Sequence, residues 1–185
     1  MRGDAVKGAI FKGIEDVAKS TFGDTAWQRI LETAGCKEPF FTAGDNYPDE
    51  TATALIRAAS EVSGLSEETV MLAFGRHWVL HTAQVTYPTL FHLAGDTARS
   101  FLMNMNRIHE LVTRNLQGAH PPKFEYEFQS EQALLIHYTS KRSLCPILRG
   151  LIEGVGLYFN EDLKITETAC MKNGSPKCTI KVHFP

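Results

Sequence analysis

The sequence predicts an α+β domain, a helical half followed by an antiparallel sheet with a helix set between its two hairpins. Three observations predict it. Apolar residues recur at helical spacing through the first two thirds of the chain; after Pro121-Pro122 the period changes to two; and one helical pattern over 146–159 interrupts the strands. The 185 residues suit one domain with a sizeable core, and 43% hydrophobic with 22% charged content excludes a disordered chain.

Val6, Ile10, Ile14 and Val17 predict a first helix, closed by Phe22-Gly23. Asp24 reads as the N-cap of a second helix through Trp27, Ile30 and Leu31 that ends near Gly35. A loop follows at Gly44-Asp45-Asn46-Tyr47-Pro48, then a third helix over 51–63 through Leu55, Ile56 and Ala59. Ser66 caps a fourth helix, with Glu67 and Glu68 in its first turn and Val70, Leu72, Phe74 and Trp78 along it. Pro88 opens a short helix, and Gly95-Asp96 starts a long one reaching Leu116. Phe124, Tyr126 and Phe128 alternate with charged residues as a first strand; a second runs over 135–142. Leu163, Ile165 and Thr168 suggest a third, and Thr179-Ile180-Lys181-Val182, after the turn at 172–176, a fourth.

A net charge of −2 gives no electrostatic case for a nucleic acid or an anionic membrane as partner. No apolar run approaches the ~20 residues that cross a bilayer. Met1-Arg2-Gly3-Asp4 leads into a helical pattern rather than a signal peptide, so the expected location is cytoplasmic. Four cysteines in a chain of this size are no disulfide framework; in a reducing compartment they are free thiols, metal ligands or redox groups.

Two patterns carry chemistry. Leu102, Met105, His109, Val112 and Leu116 lie at spacings of three, four, three and four, which sets His109 on an apolar stripe. An imidazole there is either a core histidine bonded to a carbonyl or the ligand of a metal or haem. Tyr138, Ser140 and Arg142 alternate along a strand and share a face that suits carboxylates, by a guanidinium fork and two hydroxyl donors. Together, an axial imidazole, an apolar cavity and donors for two propionates suit a haem.

The chain resembles an H-NOX domain, the haem-nitric-oxide/oxygen-binding module that also forms the sensing end of soluble guanylate cyclase. The resemblance rests on Met105-Asn106-Arg107-Ile108-His109-Glu110-Leu111, Pro121-Pro122, Tyr138-x-Ser140-x-Arg142, Gly150-Leu151-Ile152-Glu153-Gly154 and Ala73-Phe74-Gly75-Arg76. It covers nearly the whole chain; the usual start lies near Lys7-Gly8, so residues 1–6 are an extension. It implies one H-NOX domain over 1–185, with a distal helical subdomain at 1–64, a proximal one with the four-stranded sheet at 65–185, and haem b between the halves. It implies that His109 binds the iron, that Tyr138, Ser140 and Arg142 hold the propionates, and that Pro122 presses on the porphyrin. Oxygen-binding members carry a tyrosine where this chain has Ile147, and a supporting polar residue where it has Trp78. With Ile10, Ile14 and Leu151, that makes an apolar distal wall, suited to nitric oxide and carbon monoxide rather than oxygen. Trp78 has an indole N–H that donates if it points inward. His77 and His81 are expected on the polar side of their helix.

The resemblance further implies a stand-alone sensor, not an enzyme, acting in trans on a histidine kinase or a cyclic-di-GMP enzyme. The alternative is a haem enzyme acting on oxygen, peroxide or nitric oxide; the absence of an evident distal acid–base pair argues against it. A second site is expected at Cys145, Cys170 and Cys178, which match the zinc-binding cysteines of one branch of the family. That branch has a histidine where this chain has Glu167, so Glu167, His183 or His137 is the candidate fourth ligand. Cys36 reads as structural.

Overall fold

The computed structural model describes residues 5–37, 40–116 and 120–185. A short strand β1 (Ala5–Lys7) leads into α1 (Gly8–Phe22) and α2 (Asp24–Thr33), then β2 (Asn46–Pro48) and α3 (Asp49–Ser63). Next come α4 (Glu67–His77), a π-helical turn (Trp78–Thr82), α5 (Ala83–Thr86), α6 (Pro88–Ala94), α7 (Ala98–Met103) and α8 (Met105–Thr113). The sheet half holds β3 (Lys123–Ser130), β4 (Ala133–Thr139), α9 (Cys145–Phe159), β5 (Lys164–Ala169), a 3₁₀ turn (Met171–Asn173) and β6 (Cys178–His183).

The four-stranded sheet runs β3-β4-β6-β5, antiparallel throughout, with α9 joining the two hairpins as the period change predicts. Its inner face is set by period-two alternation. Leu134, Ile136 and Tyr138 of β4 pair with Val182, Ile180 and Cys178 of β6, and all six are buried. Leu148, Ile152 and Val155 of α9 join that core, while Phe11, Trp27, Ile30 and Leu55 build a second core among α1, α2 and α3. Trp78 packs against both cores.

The helices α4 and α9 touch backbone to backbone. A Cβ on Gly75 would lie 2.3 Å from the Ile147 carbonyl oxygen, and one on Gly150 would lie 2.1 Å from that of Leu72. Only glycine permits this approach. An Arg76–Glu153 ion pair closes the same seam. Two of the motifs that carry the resemblance are thus the two halves of one contact, and it fixes where Ile147 and Leu151 sit.

Several expected boundaries move. Val6 is in β1, not in a helix, and pairs with Tyr47, so the expected loop contains a strand; the Tyr47 ring, 5.0 Å from both Phe11 and Phe41, holds it down. The expected helix from Gly95-Asp96 to Leu116 is two helices. Its start shifts to Ala98 because Thr97 and Ser100 form a capping box. It breaks at Asn104, whose side-chain amide donates to the carbonyls of Ala94 (2.8 Å) and Ser100 (3.1 Å) in competition with the helical ladder. Trp78 leaves α4 for the π turn. The strand β4 stops at Thr139, so Ser140 and Arg142 sit on the turn beyond it. Gly23, not Asp24, caps α2, and α3 starts at Asp49. Ser66 caps α4 as expected. Residues 1–4 of the expected extension lie outside the described residues.

Candidate functional site

Between the two cores lies a cavity of about 360 Å³, within the range of small-molecule and cofactor sites. One wall is α8. Its sequence is strongly amphipathic, yet none of its residues is fully buried; Met105, Ile108, His109 and Val112 turn their apolar stripe to the cavity, with Leu102 and Leu116 at its ends. The stripe survives the break at Asn104. The His109 ring donates from Nδ1 to the Met105 carbonyl at 2.7 Å; a carbonyl only accepts, so Nε2 carries the lone pair. Burial pushes the imidazole pKa down and the Met105 bond opposes that only in part, which favours the neutral, ligating form. Asn106 ties α8 to the sheet. Its side chain donates to the Phe124 carbonyl at 2.7 Å and accepts the Phe124 N–H at 3.0 Å, and the Phe124 ring lies 5.5 Å from that of His109. The sequence places Asn106 in the motif around His109 and Phe124 in the first strand but does not show the clamp between them, because it joins segments 18 residues apart.

A second side is polar. Tyr138, Ser140 and Arg142 all line the cavity although the strand ends before the last two. Burial of Tyr138 pushes its phenol up to about 12, opposed by a bond with Ser140, so it stays a neutral donor. Arg142 donates from Nε to Asp49 at 2.6 Å and from Nη1 to the His120 carbonyl at 3.4 Å, while Nη2 is buried with no partner. A buried guanidinium nitrogen without an acceptor is costly. At the cavity edge it is what a cofactor carboxylate would satisfy, so the residues fit the haem propionates they were matched to. Asp49, which couples α3 to Arg142 across the molecule, was not foreseen. Pro121 and Pro122 line the cavity beside Met105 and Ile108.

The opposite wall comes from Ile10 and Ile14 of α1, Trp78 of the π turn, and Ile147 and Leu151 of α9, all on the cavity. Gly13 lets the Trp78 indole lie on α1; a Cβ there would be 2.8 Å from the ring. Tyr87 also lines the cavity, its ring 6.4 Å from Trp78, and burial raises its pKa. Its only sequence signal is the following Pro88.

The thiols assemble elsewhere, behind Tyr138. One ligating atom each from Cys145, Glu167, Cys170 and Cys178 lie within 4.8 Å of one another. The Sγ atoms of Cys145 and Cys178 are 2.7 Å apart, and Glu167 Oε1 is buried with no partner. Burial pushes the Cys145 and Cys170 thiols up, as expected where no cation balances a thiolate. Three thiols and a carboxylate make a donor set that a tetrahedral metal ion accepts. The other candidate ligands are not there. His137 is engaged by Thr179 at 3.1 Å and Glu127 at 3.4 Å, and His183 is exposed at the far end of β6 from Cys178. Cys36 packs on the α1–α3 core. His81 is exposed as expected, but His77 is half-buried.

Among the described residues no helix is long and apolar enough to cross a membrane. The family described as Haem-NO-binding matches residues 7–167. An H-NOX protein from S. oneidensis in its Fe(II)NO ligation state superposes with a TM-score of 0.87 at 20% identity, covering 97% of this chain and 99% of that one. An oxygen-binding H-NOX domain related to soluble guanylate cyclases, in its oxygen complex, gives 0.84 at 24% identity over 97% and 95%. Soluble guanylate cyclase gcy-33 of Caenorhabditis elegans is 21% identical over 160 residues, 85% of this chain but only 17% of the cyclase. The fold, with its helical half and four-stranded sheet around the cavity, is therefore the H-NOX fold, and the chain belongs to the Haem-NO-binding family as a haem-binding gas-sensor domain, related to the soluble guanylate cyclases.

Proposed function

We propose that the chain binds haem b through His109, reads nitric oxide and carbon monoxide without holding oxygen stably, and regulates a signalling partner in trans, a histidine kinase or a cyclic-di-GMP enzyme. The observation that carries this reading is a neutral histidine, with Nδ1 tied back and Nε2 free, on a cavity whose far side is hydrocarbon at Ile10, Ile14, Ile147 and Leu151. The bound haem supplies the ferrous iron that takes the gas. His109 gives a lone pair without first losing a proton, and the Met105 bond fixes its tautomer. Tyr138, Ser140 and the free Nη2 of Arg142 would donate to the propionates. Pro122, which lines the cavity, would offer a rigid ring to a bound porphyrin. Ile147 offers no hydrogen-bond donor where charge would build on oxygen. Residues 1–64 act as the distal subdomain and 65–185 as the proximal one, in the cytoplasm, with α8 carrying the signal.

The test is the visible spectrum of the reduced protein. Carbon monoxide and nitric oxide should each shift it, and air-saturated buffer should leave it unchanged after transient mixing; a stable oxygen-dependent spectrum overturns the distal argument. For the output, nitric oxide should change the activity of a co-purifying kinase or cyclic-di-GMP enzyme with the wild type and not with His109→Gly. Equal responses would reject His109 as the transmitter.

The thiol cluster supports a second proposal, zinc held by Cys145, Cys170, Cys178 and Glu167. Its support is the convergence of four ligating atoms together with the orphaned Glu167 Oε1. Metal analysis should give about one zinc per chain, lost in Cys178→Ala; unchanged stoichiometry excludes Cys178 as a necessary ligand.

A further inference from the structure

Arg149 sets a guanidinium beside the carboxylate of the thiol cluster. It stands four residues after Cys145 on α9, so the two share a face of that helix. Its Nη1 donates to Glu68 of α4 at 3.0 Å and lies 3.9 Å from Glu167 Oε2 on β5. The Glu68 arm alone is a surface ion pair of little worth, since that carboxylate is exposed. The Glu167 arm is more sheltered; the Arg149 and Glu167 side chains are 32% and 21% exposed, so solvent screens their attraction less. Glu167 keeps step along β5 with Ile165, which packs on the sheet core. The pairing of β5 with β6 is irregular between Glu167 and Ala169, just before Cys170, and bulges of this kind re-aim side chains beside functional sites. Arg149 attracts one oxygen of the carboxylate. The other, Oε1, is buried without a partner, in the group where Cys145, Glu167, Cys170 and Cys178 bring one ligating atom each within 4.8 Å of one another.

We propose that Arg149 is a positioning residue for the metal site: its guanidinium holds Glu167 Oε2, so that Oε1 serves as the fourth ligand, and its charge offsets the anionic ligand set. The proposal rests on the reading of Cys145, Cys170, Cys178 and Glu167 as a zinc site. A divalent ion held by three thiolates and a carboxylate keeps a net negative charge, and Cys145 and Cys178 are buried. Charge in such a place is costly unless a counter-charge stands near. A neutral histidine as fourth ligand would leave a smaller excess, so the carboxylate is what makes the cation matter. Arg149 meets the need without touching the ion, as an outer-shell group that orients a ligating carboxylate. Its bond to Glu68 ties the guanidinium to α4, so it reaches Glu167 from a braced position.

The test is zinc affinity, read by dialysing untagged, haem-loaded protein against zinc buffers of stepped free concentration and measuring the zinc retained per chain. Arg149→Gln should weaken binding by ~10–100-fold, the effect of losing an outer-shell partner. Arg149→Lys, which keeps the charge, should recover part of that loss. In a Glu167→Gln background, where the carboxylate is gone, Arg149→Gln should change the affinity by about twofold at most, because effects that run through one shared contact do not add. A merely structural arginine would weaken zinc equally in both backgrounds, and that result overturns the proposal. So would equal affinity in wild type and Arg149→Gln, or a lysine variant no better than the glutamine one. A wild type without zinc would sink the metal site and the proposal together, whereas zinc bound with an indifferent Arg149 sinks the proposal alone. The haem spectrum, recorded on every variant, separates these outcomes from loss of the fold.

Discussion

The proximal wall of the cavity takes its polar groups from α8, from β4 and from the turn just beyond it, whereas the distal wall draws its side chains from α1, the π turn and α9, which lie far apart in sequence. The proximal groups are fixed by hydrogen bonds: His109 to Met105, Asn106 to Phe124, Arg142 to Asp49. The distal groups are fixed by contact, through glycines that let α9 lie on α4 and Trp78 lie on α1. The difference separates two tasks. Directional bonds hold an imidazole and a guanidinium to a set geometry, as a cofactor's anchor requires. Apolar packing instead sets the shape of the wall formed by Ile10, Ile14, Ile147 and Leu151.

The largest effect should come from breaking the anchor. His109→Gly should leave the protein without haem, and added imidazole should restore it, as read by the ratio of haem to protein absorbance. Haem retained without imidazole would move the anchor elsewhere and dissolve the contrast between the walls. The next largest effect should come from adding a donor at Ile147, a hydrocarbon position of the distal wall. Ile147→Tyr places a hydroxyl on the cavity, and air should then change the spectrum of the reduced protein in a stable, reversible way. Tyr87→Phe should leave the wild-type gas response unchanged, and an altered response would add Tyr87 to the distal donors.

That the residues of the proposed anchor share one cavity was legible in sequence because they recur at fixed local spacings. A stripe of threes and fours puts His109 on one face, and Tyr138, Ser140 and Arg142 are only two residues apart. The strand argument for the second group was wrong in detail, since β4 ends at Thr139, yet the turn still delivers all three to the cavity. What stayed hidden was held by long-range bonds. Asp49 meets Arg142 across 93 residues and Asn106 meets Phe124 across 18, and no local period announces either. The break at Asn104 was equally silent, because an asparagine within a helical pattern shows its backbone bonds only once the fold supplies an acceptor such as Ala94. The thiol cluster was legible as three cysteines, while the choice of Glu167 over His137 and His183 needed the sheet register.

A smaller effect tests whether the distal wall is held by contact alone. Gly150→Ala would put a Cβ 2.1 Å from the Leu72 carbonyl oxygen, so α9 must move off α4. Overpacking of this kind costs about 1–3 kcal/mol. Urea unfolding should show that loss, while haem content stays near that of the wild type. A variant of unchanged stability would mean the seam has slack and that Ile147 and Leu151 are not rigidly placed.

The smallest effect separates the two walls by pH. Burial holds the folded His109 below the ordinary imidazole pKa of about 6.5, with the Met105 bond opposing. As pH falls, the unfolded chain therefore takes up the proton first. The stability this imidazole contributes is complete above the ordinary range and is lost as pH falls through it towards the folded value. Each such histidine adds at most about 1.4 kcal/mol per pH unit to the slope. His77 shares the direction, through burial and His81, so both contribute. In haem-free protein the urea midpoint should be flat above pH 7 and should fall below about 6.5. His109→Gln should remove part of that fall and His77→Gln another part. If His109→Gln leaves the slope intact, the proximal imidazole is not held neutral by the fold, and the readiness of its Nε2 to bind iron must come from the cofactor rather than from the wall.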